Sequence, residues 1–574
     1  MKFLLTAVNA KYIHSNPGLF SMRAYAKKYK EHIQIAEYTI NHRQEDILAD
    51  IYKQKPDVIG FSCYIWNWNI IQDLIVEVHK VLPRVPIWLG GPEVSFDADL
   101  ILEKYPMLTG IIIGEGEVTF LELMNYYVER KQSLESISGL QLQSGKTPDR
   151  ELTDLSTLPF LYENLEEFKN RIIYYESSRG CPFRCSYCLS SIEKKVRLRD
   201  LAIVKKELQF FLDNQVTQVK FVDRTFNCNH DHAMGIWKFM KENDNGITNF
   251  HFEISADIIN EEELVLLNSL RPGLVQLEIG VQSTNKKTIT EIDRTMDLDR
   301  LYQVVDRIRQ GNNIHVHLDL IAGLPFEDYD SFIHSFNNVY KMKPEQLQLG
   351  FLKVLKGSRM QEKVLEYGIS YLCKPPYEVL YSKWLPYEDI LKLKRIEEMV
   401  ELYYNSNQYT HILPVLEKAF RNPFALFEAL AKYYEDRGYF TNSPSRAYRY
   451  MVLLEFASIY DKEQIDLYRE LLTFDMYLRE NLKSRPEFSL DLAEHKDVIW
   501  QFFQKEEENR AYLPTYKEYN GRQISKMTHM EVFHYQVWED DVSKILIKSK
   551  EPYFVLFDYQ DRNPLTYQAK IYVI

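Results

Sequence analysis

Cys181-Pro182-Phe183-Arg184-Cys185-Ser186-Tyr187-Cys188 places three thiols four and then three residues apart, just after Ser177-Ser178-Arg179-Gly180. Thiolates at this spacing can wrap one loop around an iron–sulfur cluster. A four-iron cluster held by only three of them keeps one iron open to a small ligand. Zinc competes for the same loop, but structural zinc takes four ligands in paired clusters, and the chain has no second pair. A disulfide would need only two of the three thiols. Cys63, Cys228 and Cys373 are scattered and read as buried or unreactive.

A second chemical set emerges from alternation. His251, Glu253, Ser255 and Asp257 share one parity of residues 250–257, against Phe252, Ile254 and Ala256. Gln276, Glu278, Gly280 and Gln282 likewise oppose Val275, Leu277, Ile279 and Val281. His315, His317 and Asp319 oppose Val316, Leu318 and Leu320, and Gln346, Gln348 and Gly350 oppose Leu347, Leu349 and Phe351. Side chains alternate with period two along a strand, so four successive strands carry one apolar and one polar face. Helices over the apolar faces leave the polar faces lining a shared interior, unlike the Val, Ile and Leu filling of a closed eight-stranded barrel. An open sheet with its polar face in water is the alternative. His315, His317 and Asp319 are candidate pocket residues. Their spacing also permits metal ligation, but with no third histidine nearby, pocket lining is the favoured reading.

The elements that must position these groups follow from the chain on either side. The first 135 residues alternate short apolar strands (residues 3–8, 57–61, 86–89 and 110–113) with amphipathic helices, clearest over 69–81. That pattern predicts a doubly wound parallel sheet. Such sheets bind ligands beyond the carboxyl ends of their strands. Those ends carry Asn9, His14, Ser62, Gly90-Gly91-Pro92-Glu93 and Gly114-Glu115-Gly116-Glu117. Residues 136–166 are turn-rich and read as a linker with one hairpin. Residues 167–365 hold the cysteine loop and the alternating strands. Residues 366–574 change character to Tyr-rich helical stretches over 389–404, 423–436 and 445–477, ending in two strands.

Bulk composition narrows the function classes. At 574 residues the chain exceeds one core, and 45% hydrophobic with 26% charged residues is ordinary for a soluble protein. Six cysteines in that length suit a reducing cytoplasm. No stretch approaches the roughly 18 apolar residues of a membrane span. Net charge is −12, which argues for a small-molecule substrate over a nucleic acid held through its phosphates. The one dense basic run, Lys194-Lys195-Val196-Arg197-Leu198-Arg199, is short.

The CxxxCxxC loop with Tyr187 before its last cysteine resembles the radical S-adenosylmethionine (SAM) superfamily, and the alternating strands resemble its partial six-stranded (β/α) barrel. The resemblance implies a [4Fe–4S] cluster on Cys181, Cys185 and Cys188. SAM would be bound at the open iron and cleaved reductively to a hydrogen-abstracting 5′-deoxyadenosyl radical, with an electron donor such as flavodoxin or ferredoxin. It implies cofactor contacts at Tyr187, at Asp223 in Phe221-Val222-Asp223-Arg224-Thr225-Phe226, and at Glu253, Ser255, Glu278 and Gln282. Arg294 resembles the arginine that pairs with the SAM carboxylate, and Gly323 lies in a segment resembling the one beside adenine. The Gly-Gly-Glu that binds the SAM amine in other members is absent. The segments IGFSCYIWN, LGGPEVSF and IIGEGEVTF resemble the cobalamin-binding domain of one superfamily branch, which also carries an uncharacterised C-terminal domain. The cobalt-ligating Asp-x-His-x-x-Gly is missing, which leaves cobalamin occupancy open. The full arrangement resembles the queuine lyases, which implies release of queuine from queuosine 5′-monophosphate. A cobalamin-dependent methyltransferase is the alternative.

Overall fold

A computed structural model describes residues 1–574. Seven strands form the first sheet: β1 (Phe3–Asn9), β2 (Ile33–Thr39), β3 (Val58–Ser62), β4 (Ile87–Gly90), β5 (Gly110–Ile112), β6 (Leu140–Leu142) and β7 (Gly145–Lys146), in the order β2-β1-β3-β4-β5-β6-β7. The first five run parallel. Every residue of β1 and β3 is buried, as expected of strands covered on both faces. One face packs under the helices Gln44–Gln54, Trp68–Val81 and Ala98–Lys104; the other packs under Pro17–Tyr25 and Gly116–Met124.

Two features depart from the sequence reading. Edge strand β2 (IQIAEYT) was not anticipated, because its half-polar composition lacks the continuous apolar run that marks its neighbours. The expected hairpin exists, but β6 pairs antiparallel with β5, so residues 140–146 complete the first sheet rather than float in a linker.

The second sheet is parallel and sequential: β8 (Ile173–Tyr175), β11 (Gln218–Phe221), β12 (Asn249–Ile254), β13 (Val275–Gln282), β14 (His315–Ala322) and β15 (Gln346–Phe351). A short antiparallel pair, β9 (Ser178–Arg179) and β10 (Arg197–Leu198), brackets the cysteine loop. β13 alternates buried and half-buried positions along its whole length, with Gln276, Glu278, Gly280 and Gln282 on the open parity. β15 and β8 do not pair, so this is a partial barrel. An open strand edge must be capped or covered. Here Asn405 does so, donating to the Leu347 carbonyl at 2.9 Å and accepting from the Leu347 amide at 2.8 Å.

Beyond the barrel lies a small pair, β16 (Ser370–Tyr371) with β17 (Val379–Tyr381), followed by helices that share one continuous apolar core with the barrel. The stretch expected as one helix over 445–477 is two, Arg446–Tyr460 and Ile465–Arg479, broken at Asp461. The terminal sheet has three strands rather than two. β18 (Thr528–Phe533) joins β19 (Tyr553–Arg562) and β20 (Ala569–Val573), and its pairing with β19 spans a long excursion that hid it from local pattern.

Candidate functional site

The cysteine loop leaves β9 through Gly180, whose φ of +93° and lack of a side chain are both required. A Cβ there would lie 2.5 Å from the Lys195 carbonyl oxygen. The Cys181 amide then donates to Glu193 O (3.2 Å), the Ser186 amide to Ile292 O (2.8 Å) and the Cys188 amide to Cys185 O (3.2 Å). None of the six cysteines is joined in a disulfide here. Cys181 and Cys185 are buried and Cys188 is half-buried. Arg294 reaches Cys185 Sγ at 3.6 Å and the Tyr187 hydroxyl at 3.4 Å, and donates to the Gly280 carbonyl. Its Nε, with Gln282 Oε1 and Ser186 Oγ, is buried without a partner. Three free thiols on one short loop beside unpartnered polar atoms suit a three-thiolate iron–sulfur cluster and a polar ligand next to it.

The remaining candidates separate into those facing the interior and those that brace it. Asp223 is fully buried, and its carboxylate accepts from the Ser177 amide (3.0 Å), Ser177 Oγ (2.6 Å) and Ser178 Oγ (2.6 Å). Burial lifts its pKa to about 6 against those hydrogen bonds. Its oxygens therefore hold the strand leading into the cysteine loop. Ser255 donates to Asp257 (2.7 Å), and its backbone is clamped by Asn227, so it too braces. Gly323 lies against Val379, where a Cβ would sit 2.7 Å from Cγ1.

Inside the barrel, Glu278 Oε2 accepts from His251 Nε2 (3.0 Å) and Lys220 Nζ (3.3 Å). Burial works against its charge, but the hydrogen bond from His251 and the charge of Lys220 hold Glu278 down to about 2. His317, paired in register with Glu278, stands 3.0 Å from Asp319. Burial opposes protonation of His317, while Asp319 and Glu278 raise its pKa. His315, nearer the amino end of β14, is pushed down to about 4, mainly by burial. Glu253 is lifted to about 7 by burial, against the pull of Arg224 at 3.9 Å. Lys220 and Arg224 were missed from sequence. Lys220 carries a legible signal, since Gln218 and Lys220 on β11 alternate with Val219 and Phe221 in the same period-two pattern as β12 to β15.

A cavity of about 840 Å³ lies between the two sheets. From the first sheet it is lined by Tyr64 and, of the strand ends expected to bind a ligand, by Ser62, Gly90-Gly91-Pro92 and Gly114-Glu115-Gly116-Glu117, but not by Asn9, His14 or Glu93. From the second it is lined by Glu176, Ser178-Arg179-Gly180, Leu189 and Arg224, so its far wall is the root of the cysteine loop. Gly91 has φ +113°, and a Cβ would fall 2.4 Å from the Cys63 carbonyl oxygen. The wall is fixed by Arg179, which pairs with Glu117 (2.6 Å), Glu176 (2.9 Å) and Glu115 (3.1 Å), and by Arg197, which pairs with Glu115 (2.5 Å). No histidine lines the cavity. His14 instead meets the Tyr174 hydroxyl at 2.5 Å. A glycine-walled chamber of this size, lined by apolar and charged side chains, suits a bulky cofactor such as cobalamin, without a histidine to ligate its metal.

Comparison with known proteins assigns these units. Residues 4–124 match the B12 binding domain, residues 175–339 the radical SAM superfamily, and residues 365–557 the family DUF4080, a protein of unknown function. The cobalamin-dependent radical SAM methyltransferase TokK of Streptomyces tokunonensis is 24% identical over 368 residues, 56% of this chain. The chain spans about half (51%) of that relative's length. Among solved structures, the cobalamin-dependent SAM radical enzyme OxsB with aqua-cobalamin superposes with a TM-score of 0.56 at 14% identity, covering 88% of this chain and 75% of that one. The methyltransferase TsrM from Kitasatospora setae, with cobalamin and a [4Fe–4S] cluster bound, gives 0.55 at 16% identity, covering 66% and 82%. The chain thus joins a B12-binding domain, a radical SAM domain with its need for a [4Fe–4S] cluster and SAM, and a C-terminal DUF4080 domain.

Proposed function

We propose that this chain is a cobalamin-using radical SAM enzyme that transfers a methyl group to a small molecule held in the partial barrel. The observation that carries the reading is the shared cavity: strand ends that suit a corrinoid and the root of the cysteine loop line the same space. Release of queuine has no counterpart in the relatives above, so methyl transfer, the alternative drawn from the sequence, takes precedence.

When bound, the cluster and SAM supply a one-electron reductive cleavage and cobalamin supplies a methyl carrier. Cys181, Cys185 and Cys188 would hold the cluster. Arg294 stabilises the thiolate of Cys185, because a guanidinium 3.6 Å away favours its charged form against burial. Gln282, with φ +70° at the end of β13, and the free Nε of Arg294 offer SAM a polar seat. Lys220, His251, Glu253, Glu278, His317 and Asp319 would orient the substrate below it. The sheath of helices after residue 386 closes the barrel's open edge and limits water, which would otherwise compete with the reacting groups. Reduction would come from a flavodoxin- or ferredoxin-type donor.

The test uses full-length protein reconstituted anaerobically with iron, sulfide and cobalamin, then given reductant and SAM carrying a deuterated methyl group. The reading expects the label on cobalamin and, with a competent substrate, on a methylated product. SAM cleavage to 5′-deoxyadenosine with queuine release from queuosine 5′-monophosphate and no label transfer would overturn it.

A further inference from the structure

We propose that Glu278, His317 and Asp319 form a divalent-metal site inside the barrel, whose open positions take an oxygen-chelating substrate below the cysteine loop. The inference stands on the barrel residues alone and does not require the methyl-transfer reading. One ligand atom from each of the three residues lies within 4.8 Å of the others. Metal–ligand bonds of about 2.0–2.2 Å put donors up to about 4.4 Å apart, so a small side-chain adjustment closes the set.

The details favour a shared cation over a simple ion pair. At 3.0 Å, His251 Nε2 is aligned for a hydrogen bond to Glu278. At the same 3.0 Å, His317 Nε2 and Asp319 Oδ1 are not, and neither atom has any hydrogen-bond partner. His317 is only 6% exposed. A nine-tenths-buried imidazole nitrogen and a carboxylate oxygen 3.0 Å apart, neither aligned for a hydrogen bond to the other or to any further group, leave bonding capacity unused unless something joins them. A metal bound to both satisfies the two at once.

Local architecture supports the same arrangement. His317 and Asp319 are two apart on β14, on one face, and Glu278 is the register partner of His317 on β13. Both protein contacts of Glu278 fall on Oε2, which leaves Oε1 for a metal. His251 then plays the outer role of orienting a ligating carboxylate. One imidazole and two carboxylates suit manganese, iron(II) or zinc, and three protein ligands leave a position open, as in sites that also bind substrate. The site lies two residues along β13 from Gly280, whose carbonyl accepts from Arg294, the residue that touches Cys185. A chelated carboxylate or hydroxyl would thus be held beneath the cysteine loop.

The test is Mn²⁺ titration followed by electron paramagnetic resonance, on full-length protein whose cysteines are already filled by the reconstituted cluster. We expect one Mn²⁺ per chain, displaced by Zn²⁺. Glu278→Gln, His317→Ala and Asp319→Asn should each weaken binding by at least about tenfold. His315→Ala, on the same strand and face, should leave it unchanged. Iron content and thermal melting report whether each variant still folds, and the wild-type titration stands regardless of them. No saturable binding of either metal to the wild type would overturn the proposal. So would binding that survives all three ligand variants, or that falls equally in His315→Ala.

Discussion

Replacing Asp223 separates a brace from a cofactor ligand. In Asp223→Ala the Ser177 amide and two serine hydroxyls lose their acceptor at 2.6–3.0 Å in a site 1% exposed. The hydroxyls can turn, and His232 Nε2 already lies 3.2 Å from Ser177 Oγ, but the amide cannot move without dragging β8. A stranded buried donor costs about 1–3 kcal/mol, so the amide plus partial losses at the hydroxyls comes to about 2–4 kcal/mol. For a domain of this size that is a fall of roughly 5–10 °C in melting temperature. Because Ser177 and Ser178 lead directly into Gly180 and Cys181, the reconstituted cluster should also be lost faster to an iron chelator. The assays are a thermal melt, iron content after reconstitution, and SAM affinity of the cluster-loaded fraction. The expected outcome is a lower melt and faster iron loss, with SAM affinity per intact cluster little changed. An unchanged melt and cluster lifetime with SAM binding selectively weakened would refute it and restore Asp223 as a cofactor contact.

Other expectations follow from the same geometry. Glu253 has its pKa lifted from 4.5 to about 7, mainly by burial. Its neutral form is favoured in the folded state, so stability present below pH 4.5 is lost as pH rises to about 7 and stays lost above. The gap amounts to about 3 kcal/mol. Glu253→Gln should therefore raise the melting temperature of the cofactor-free protein at pH 8 and not near pH 4.5; equal melts at both pH values would count against this. Gly91→Ala should cost about 1–3 kcal/mol from backbone strain, plus a clash with the Cys63 carbonyl, and should weaken cobalamin binding. Gly114→Ala, also at positive φ but with nothing within 4 Å, is the milder comparison; if the two variants behave alike, the cavity wall is not rigid at Gly91.

What the sequence made legible was local and periodic. The cysteine spacing, the period-two alternation of β12 to β15 and the apolar runs of β1, β3, β4 and β5 each appear within a window of ten residues. What it concealed depended on distant partners. β18 looks like a strand only once β19 lies beside it, and β2 only once β1 does. Asp223 carried a motif position, but its neighbours in space, Ser177 and Ser178, are far off in sequence and take up its oxygens. Nothing local could reveal that the helix end at Asn405 would cap β15, or that Gly90-Gly91 and Arg224 would face one cavity.

A corrinoid bound between the first sheet and the cysteine loop is the central proposal. Equilibrium binding of cobalamin to the full-length, cluster-loaded protein tests this most directly, with the wild type and Gly91→Ala measured side by side. One tightly held cobalamin per wild-type chain, weakened in the variant, is the predicted result. A wild-type protein that carries its cluster and cleaves SAM yet binds no cobalamin would contradict it.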